Sequence, residues 1–127
     1  MFGVSARFGG IPAQMKIIMD ATGGLWQNGG LVGKLADVFQ ITGTKQGVQE
    51  SVGINWMSFF AHQGIIFIPL GYTDPQAFSY DKIHGASPWG SSTYEGPDGS
   101  RQPTVMELSI EESHGKHFAI LTEKLSR

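Results

Sequence analysis

The chain has 127 residues and a formal net charge of −2, with 40% apolar residues, 16% charged residues and no cysteine. That balance excludes a disordered chain and allows one domain with a modest core. Without a Lys/Arg run there is no electrostatic grip for a nucleic acid, and without cysteine there is no disulfide framework, thiolate nucleophile or Cys-ligated metal. No apolar run approaches the roughly 20 residues of a membrane span. The first residues lack the basic-then-apolar pattern of a leader, so a soluble, cytoplasmic protein is expected.

In chain order, Phe2-Gly3-Val4 reads as the stub of a buried strand. A helix is expected from about Pro12, with Met15, Ile18 and Met19 on one face and Gly23-Gly24 as its stop. Trp26 follows in a glycine-rich loop. Residues 36–42 (ADVFQIT) predict a strand bounded by Gly33 and Gly43. A loop of Gly43-Thr44-Lys45-Gln46-Gly47 comes next, and Val52, Trp56, Phe59 and Phe60 then mark an amphipathic helix to about His62, stopped by Gly64. Residues 65–70 (IIFIPL) predict a strand covered on both faces. From 71 to 103 there is no clear periodicity, and loops of that length are uncommon unless functional. Thr104 and Glu107 have capping-box spacing. Phe118, Leu121 and Leu125 give the final helix its buried stripe, with Gly115 permitting close packing.

Strands alternating with helices imply a parallel sheet with helices on both faces. Ligands of such sheets sit at the carboxyl ends of the strands, which points to the loops at 5–11, at 43–49 and from 71 onward. The first offers free amides, the Arg7 guanidinium and the Phe8 ring, a set that suits a planar heteroaromatic ligand; an ordinary strand-to-helix turn has the same composition. Thr42-Gly43-Thr44 with Gly47 could cradle an anion before a helix, but Lys45 is misplaced for a P-loop and a polar turn is the simpler reading. His62, His84, His114 and His117 lack metal-ligand spacing, and Ser87 and Ser91 lack a nucleophile-elbow frame. Asp20, Asp37, Asp81, Glu111 and Glu112 read as surface carboxylates. Trp26 and Trp89, large aromatics among glycines, mark contacts with a ligand or partner. With no catalytic acid–base set in view, an enzyme here would borrow its chemistry from a cofactor.

The stretches FGVSARFGGIPAQMK, DATGGLWQNGGLVGK, TGTKQGVQE, HQGIIFIPLGY and GASPWGSSTYEGPDGSRQPTVMELSI run in one order over almost the whole chain. In them the sequence resembles the WrbA-type NAD(P)H:quinone oxidoreductases, a flavodoxin-like family. The resemblance implies a three-layer α/β/α fold with a parallel sheet, FMN as cofactor, NADH or NADPH as co-substrate, two-electron reduction of quinones, and a homotetramer. It implies that Ala6, Arg7 and Phe8 edge the isoalloxazine ring and that Ile41, Thr42, Gly43, Thr44, Lys45 and Gln46 line the flavin. Trp26 is implied to reach the active site of a neighbouring subunit as a substrate contact.

There are departures. Where the family has Pro-Thr before Arg-Phe-Gly, this chain has Ser5-Ala6, which removes a hydroxyl near the ring. In place of a His-His-Gly run it has His62-Gln63-Gly64, and Gln63 can hydrogen-bond beside a flavin but cannot exchange a proton near neutral pH. The family's first strands and its Ser-containing phosphate loop have no counterpart before Met1. Residues 1–127 are therefore expected to be the C-terminal portion of a single flavodoxin-like domain. Each charge-assisted hydrogen bond contributes about 1.5–3 kcal/mol, so without that loop these residues alone are expected to bind FMN poorly or not at all and to have little or no activity. The alternative is a flavin-free, truncated paralogue acting through its oligomer-forming surface.

Overall fold

The computed structural model describes residues 1–45, 47 and 49–125. Strand β1 (Phe2–Ser5) pairs in parallel with β3 (Val38–Thr42), which pairs in parallel with β5 (Ser92–Tyr94). A second parallel pair joins β2 (Leu35–Ala36) to β4 (Ile66–Phe67). Helices α1 (Ala13–Asp20), α2 (Gly23–Gln27), α3 (Gln49–Gln63) and α4 (Val105–Leu125) complete the regular structure, with a short 3-10 turn at Pro75–Phe78.

Backbone hydrogen bonds show how the two sheets relate. The carbonyls of Lys34 and Ala36 accept from Ile66 and Ile68, and the Gln40 N–H donates to Ser91 O, while the carbonyls of Asp37 and Ile41 accept from Phe2 and Ala6. Backbone groups of successive strand residues point to opposite sides. Even-numbered residues of 34–42 therefore face β4 and β5, and odd-numbered ones face β1. β4 and β5 are two instalments of one sheet edge, separated by an excursion of the chain. Gly90 closes that excursion because a Cβ there would stand 2.1 Å from Val38 O.

Side-chain alternation fixes the layers. Val38 points into a core with Val4, Met19, Val52, Trp56 and Phe60, so α1 and α3 cover that face. Aromatic rings run through it from Phe2 to Trp56 (4.7 Å), Phe60 (5.6 Å), Phe67 (6.0 Å) and Trp89 (6.1 Å). Phe39 and Ile41 point the other way and wall an apolar cavity of about 510 Å³ with Leu108 and Glu111 of α4. The parallel α/β expectation holds.

Several details differ from expectation. Gly23-Gly24 do not end α1, which stops at Asp20 and is capped by Ala21; they open α2, so Trp26 lies on a short helix rather than in a loop. The strand expected at 36–42 breaks at Asp37, which is fully buried instead of being a surface carboxylate. Of 65–70 only Ile66–Phe67 is strand, and Ile66 is half-exposed, so this strand is not covered on both faces. The excursion 71–103 holds the 3-10 turn and β5. On α4 the buried residues are Glu107, Ile110 and His114, whereas Leu125 is exposed and a Cβ on Gly115 would meet nothing within 4 Å. Trp89 packs inward on Phe67 and Gly53. The capping box forms as expected: Glu107 N–H donates to Thr104 Oγ1 (3.2 Å) and Thr104 N–H to Glu107 Oε2 (2.8 Å).

Candidate functional site

The ladder runs one residue past each strand: Ala6 N–H donates to Ile41 O and Glu95 N–H to Thr42 O, each at 2.8 Å. The loops after β1, β3 and β5 therefore leave the sheet at one level. In the first, Arg7 and Gly10 exchange two backbone hydrogen bonds of 2.9 Å around Phe8 and Gly9, with φ of 50° and 75°. Positive φ at both central residues makes this the mirror-image turn of tight hairpins. Glycine accepts that conformation freely; an aromatic residue there is strained by about 1–2 kcal/mol. The ring gains no packing in return, because Phe8 is fully exposed. Strain held without a packing gain is characteristic of a binding loop.

Helix α3 fixes the turn from outside. Ser51 Oγ and Asn55 Nδ2 both donate to Gly9 O, at 2.8 and 3.1 Å. Gln49 Nε2 reaches Thr93 O at 3.1 Å and Thr42 Oγ1 at 3.3 Å, tying the start of α3 to β3 and β5. In the second loop Thr42 Oγ1 donates to Thr44 O at 2.7 Å, and Gly47 N–H donates to the same oxygen at 3.0 Å. Gly43, Thr44 and Lys45 are exposed there, and Gln46 lies outside the described residues.

Beyond Tyr94 stands Arg101, whose guanidinium stacks on the Tyr94 ring at 3.7 Å and forks onto both oxygens of Glu107 at 3.0 and 2.9 Å. Burial of the Glu107 carboxyl works to raise its pKa. The backbone N–H groups of Thr104 and Gly85, Arg101 and the Thr104 hydroxyl outweigh burial and hold it below the usual carboxylate range. This hub gave no sign in the sequence beyond its capping box.

Trp26 and Gln63 lie elsewhere. Gln63 ends α3, fourteen residue steps or about 21 Å along the helix from Gln49. Its Nε2 donates to Thr22 Oγ1 at 2.7 Å, and its Oε1 is buried without a partner. Both residues wall an open cavity of about 620 Å³ with Met19, Phe59 and His62, and Trp26 is 61% exposed. Asn55 joins the two regions: it holds Gly9 and also lines this cavity. Ala6, Arg7, Phe8 and Ile41 to Lys45 thus gather at the sheet's carboxyl end, while Trp26 and Gln63 form a separate group toward the far end of α3.

His114, read from sequence as a scattered histidine, is fully buried against Asp37 and Ser91. Among the described residues no His, Asp and Glu group is arranged to hold a metal.

No family model matches the chain. It is 48% identical over 118 residues to NAD(P)H quinone oxidoreductase PST2 of Candida albicans, covering 93% of this chain and 59% of that protein. Over 120 residues it is 48% identical to Protoplast secreted protein 2 of Saccharomyces cerevisiae, covering 93% and 60%. The chain therefore spans about three-fifths of the length of these curated relatives. A flavodoxin, WrbA-like protein from Agrobacterium tumefaciens superposes with a TM-score of 0.73 over 97% of this chain and 64% of that one; at 17% identity this shows a shared fold. The chain is thus similar in sequence to a named NAD(P)H quinone oxidoreductase and shares the flavodoxin-like fold of a WrbA-like protein.

Proposed function

We propose that the chain carries the ring-holding and substrate-contacting parts of an FMN-dependent NAD(P)H:quinone oxidoreductase that works as a homo-oligomer, a tetramer by family resemblance. The observation behind this reading is the strained, solvent-facing turn at Phe8, held by α3 beside the exposed loop from Gly43 to Lys45. Exposed amides, one aromatic face and one guanidinium fit the edge and face of an isoalloxazine ring. Ala6, Arg7, Phe8 and Ile41 through Lys45 would hold it, and FMN when bound would supply the two-electron hydride chemistry that the side chains lack.

Trp26 and Gln63 have a complementary part. An exposed indole above an open cavity offers a flat apolar wall to a nicotinamide or a quinone. Gln63 Oε1 can accept a hydrogen bond from a hydroxyl or ring N–H but cannot take up a proton near neutral pH. Protons for the quinol would then come from solvent. Because this group is separated along α3 from the ring-holding loops, the reading requires Trp26 of one copy to close over the loops of another. Exposed Ile17 and Ile18 on α1, and Leu25 next to Trp26 on α2, supply apolar surface for that association. A cytoplasmic setting belongs to the same proposal.

The test is a flavin titration of the purified chain followed by NADH or NADPH oxidation with benzoquinone. The proposal expects weak but saturable FMN binding and quinone-dependent turnover at saturating flavin. An oligomer that stays colourless and inactive at millimolar FMN contradicts it and favours a flavin-free interaction protein.

A further inference from the structure

Asn55 stands on α3 between the two groups of site residues. Its Nδ2 lies 3.1 Å from Gly9 O and 2.8 Å from Ser51 O. Carbonyl oxygens only accept, so the nitrogen end of the amide must face them, and both of its N–H bonds are committed. Ser51 Oγ donates to the same Gly9 O at 2.8 Å, which fills the second lone pair of that carbonyl. Asn55 Oδ1 has no protein partner among the described residues, and the residue is exposed where it walls the cavity of about 620 Å³.

Gln63 follows the same rule about 12 Å further along α3. Thr22 Oγ1 gives its proton to Met19 O at 2.6 Å, so toward Gln63 it can only accept, and Nε2 is the end of the amide that meets it, at 2.7 Å. Both amides that wall the cavity from α3 are thus held through nitrogen and leave oxygen unspent. Lys16 and Asp20, on the α1 side, pair with each other. The Gln63 oxygen is buried whereas Asn55 is exposed, so Asn55 is the acceptor that an entering ligand meets first.

We propose that Asn55 is a positioning residue that couples the cavity to the Phe8 turn of the same chain. An aromatic ligand whose N–H or O–H donates to Oδ1 fixes the amide plane, and that plane carries the N–H bonds that hold Gly9 and Ser51. Without the ligand the exposed amide shares those contacts with water. Such coupling is reciprocal: the turn, once ordered, raises ligand affinity by the factor by which the ligand orders the turn. The inference rests on the reading of the cavity as the aromatic-ligand side of the site. Where Trp26 of one copy closes over the loops of another, the link through Asn55 runs from one composite site to the next.

Nicotinamide is the probe, because its carboxamide donates; methyl nicotinate is the control, with the same ring and no N–H. Both are titrated into the unaltered, flavin-free chain and followed by amide NMR spectra. Nicotinamide should shift the Trp26 indole N–H and the Phe8, Gly9 and Gly10 amides along one saturation curve, with the Gly43 and Thr44 amides unmoved. Methyl nicotinate should reach Trp26 with roughly three- to tenfold lower affinity, the size of one hydrogen bond, and leave the turn where it was. Asn55→Asp keeps an acceptor and loses the donor to Gly9 O, while Ser51 still holds that carbonyl. In this variant nicotinamide should shift Trp26 but no longer the turn. Trp26 shifts without turn shifts in the unaltered chain, or turn shifts that persist in Asn55→Asp, overturn the coupling and leave the reading of the cavity standing. No shift at Trp26 overturns both.

Discussion

Asp37 Oδ2 lies 2.5 Å from His114 Nε2, and both side chains are fully buried. Asp37 Oδ1 accepts from the Val38 N–H at 2.6 Å, and Ser91 Oγ lies 2.8 Å from His114 Nδ1 and donates to Glu111 Oε2. The contact joins the break between β2 and β3 to α4 and to the approach to β5. His114→Ala empties a fully buried site and leaves Asp37 Oδ2 buried without its polar neighbour, so it should lower stability in urea unfolding by about 2–4 kcal/mol. Adding Asp37→Val removes the stranded buried polar group and should recover part of that loss. A single variant as stable as the parent would show that the contact carries no weight.

Glu107 sets the acid limit of the fold. Its pKa lies below the ordinary 4.5, so its contribution is complete above that value and is lost as pH falls through the lowered one. Circular dichroism during acid titration should therefore show part of the unfolding below pH 4.5. In Glu107→Gln that part should shrink, with neutral-pH stability lower by about 1–3 kcal/mol because Arg101 and Gly85 lose a charged acceptor.

Strain at Phe8 is separable from stability. Phe8→Gly removes a solvent-facing ring from a left-handed position and should raise the thermal midpoint by about 2–5 °C. The same change should weaken flavin binding. A lower midpoint would mean that the ring packs on the protein in solution.

The sequence made the parallel α/β order legible because β1, β3 and α3 each carry an apolar pattern of the right period. It hid whatever tertiary contact alone decides. Asp37 looked like a surface carboxylate inside a continuous strand, since its partner His114 is remote in sequence. β5 is Ser-Thr-Tyr, with no apolar run to announce it; hydrogen bonds to β3 make it a strand. The buried stripe of α4 escaped because two of its three members, Glu107 and His114, are polar. At the candidate site the Arg7-Phe8-Gly9 turn and the loop from Thr42 were visible from glycines after strands. The separation of Trp26 and Gln63 from them was not, because it depends on the direction in which α3 runs.

The central claim is that loops from one copy and Trp26 from another form a single flavin site. Quenching of FMN fluorescence measures it directly in Arg7→Ala, in Trp26→Ala and in an equimolar mixture of the two after subunit exchange. Each variant alone should quench weakly. Random pairing in the mixture rebuilds intact sites at roughly a quarter of the parent number, so quenching should rise above the mean of the separate variants. A mixture that gives only that mean would contradict the account.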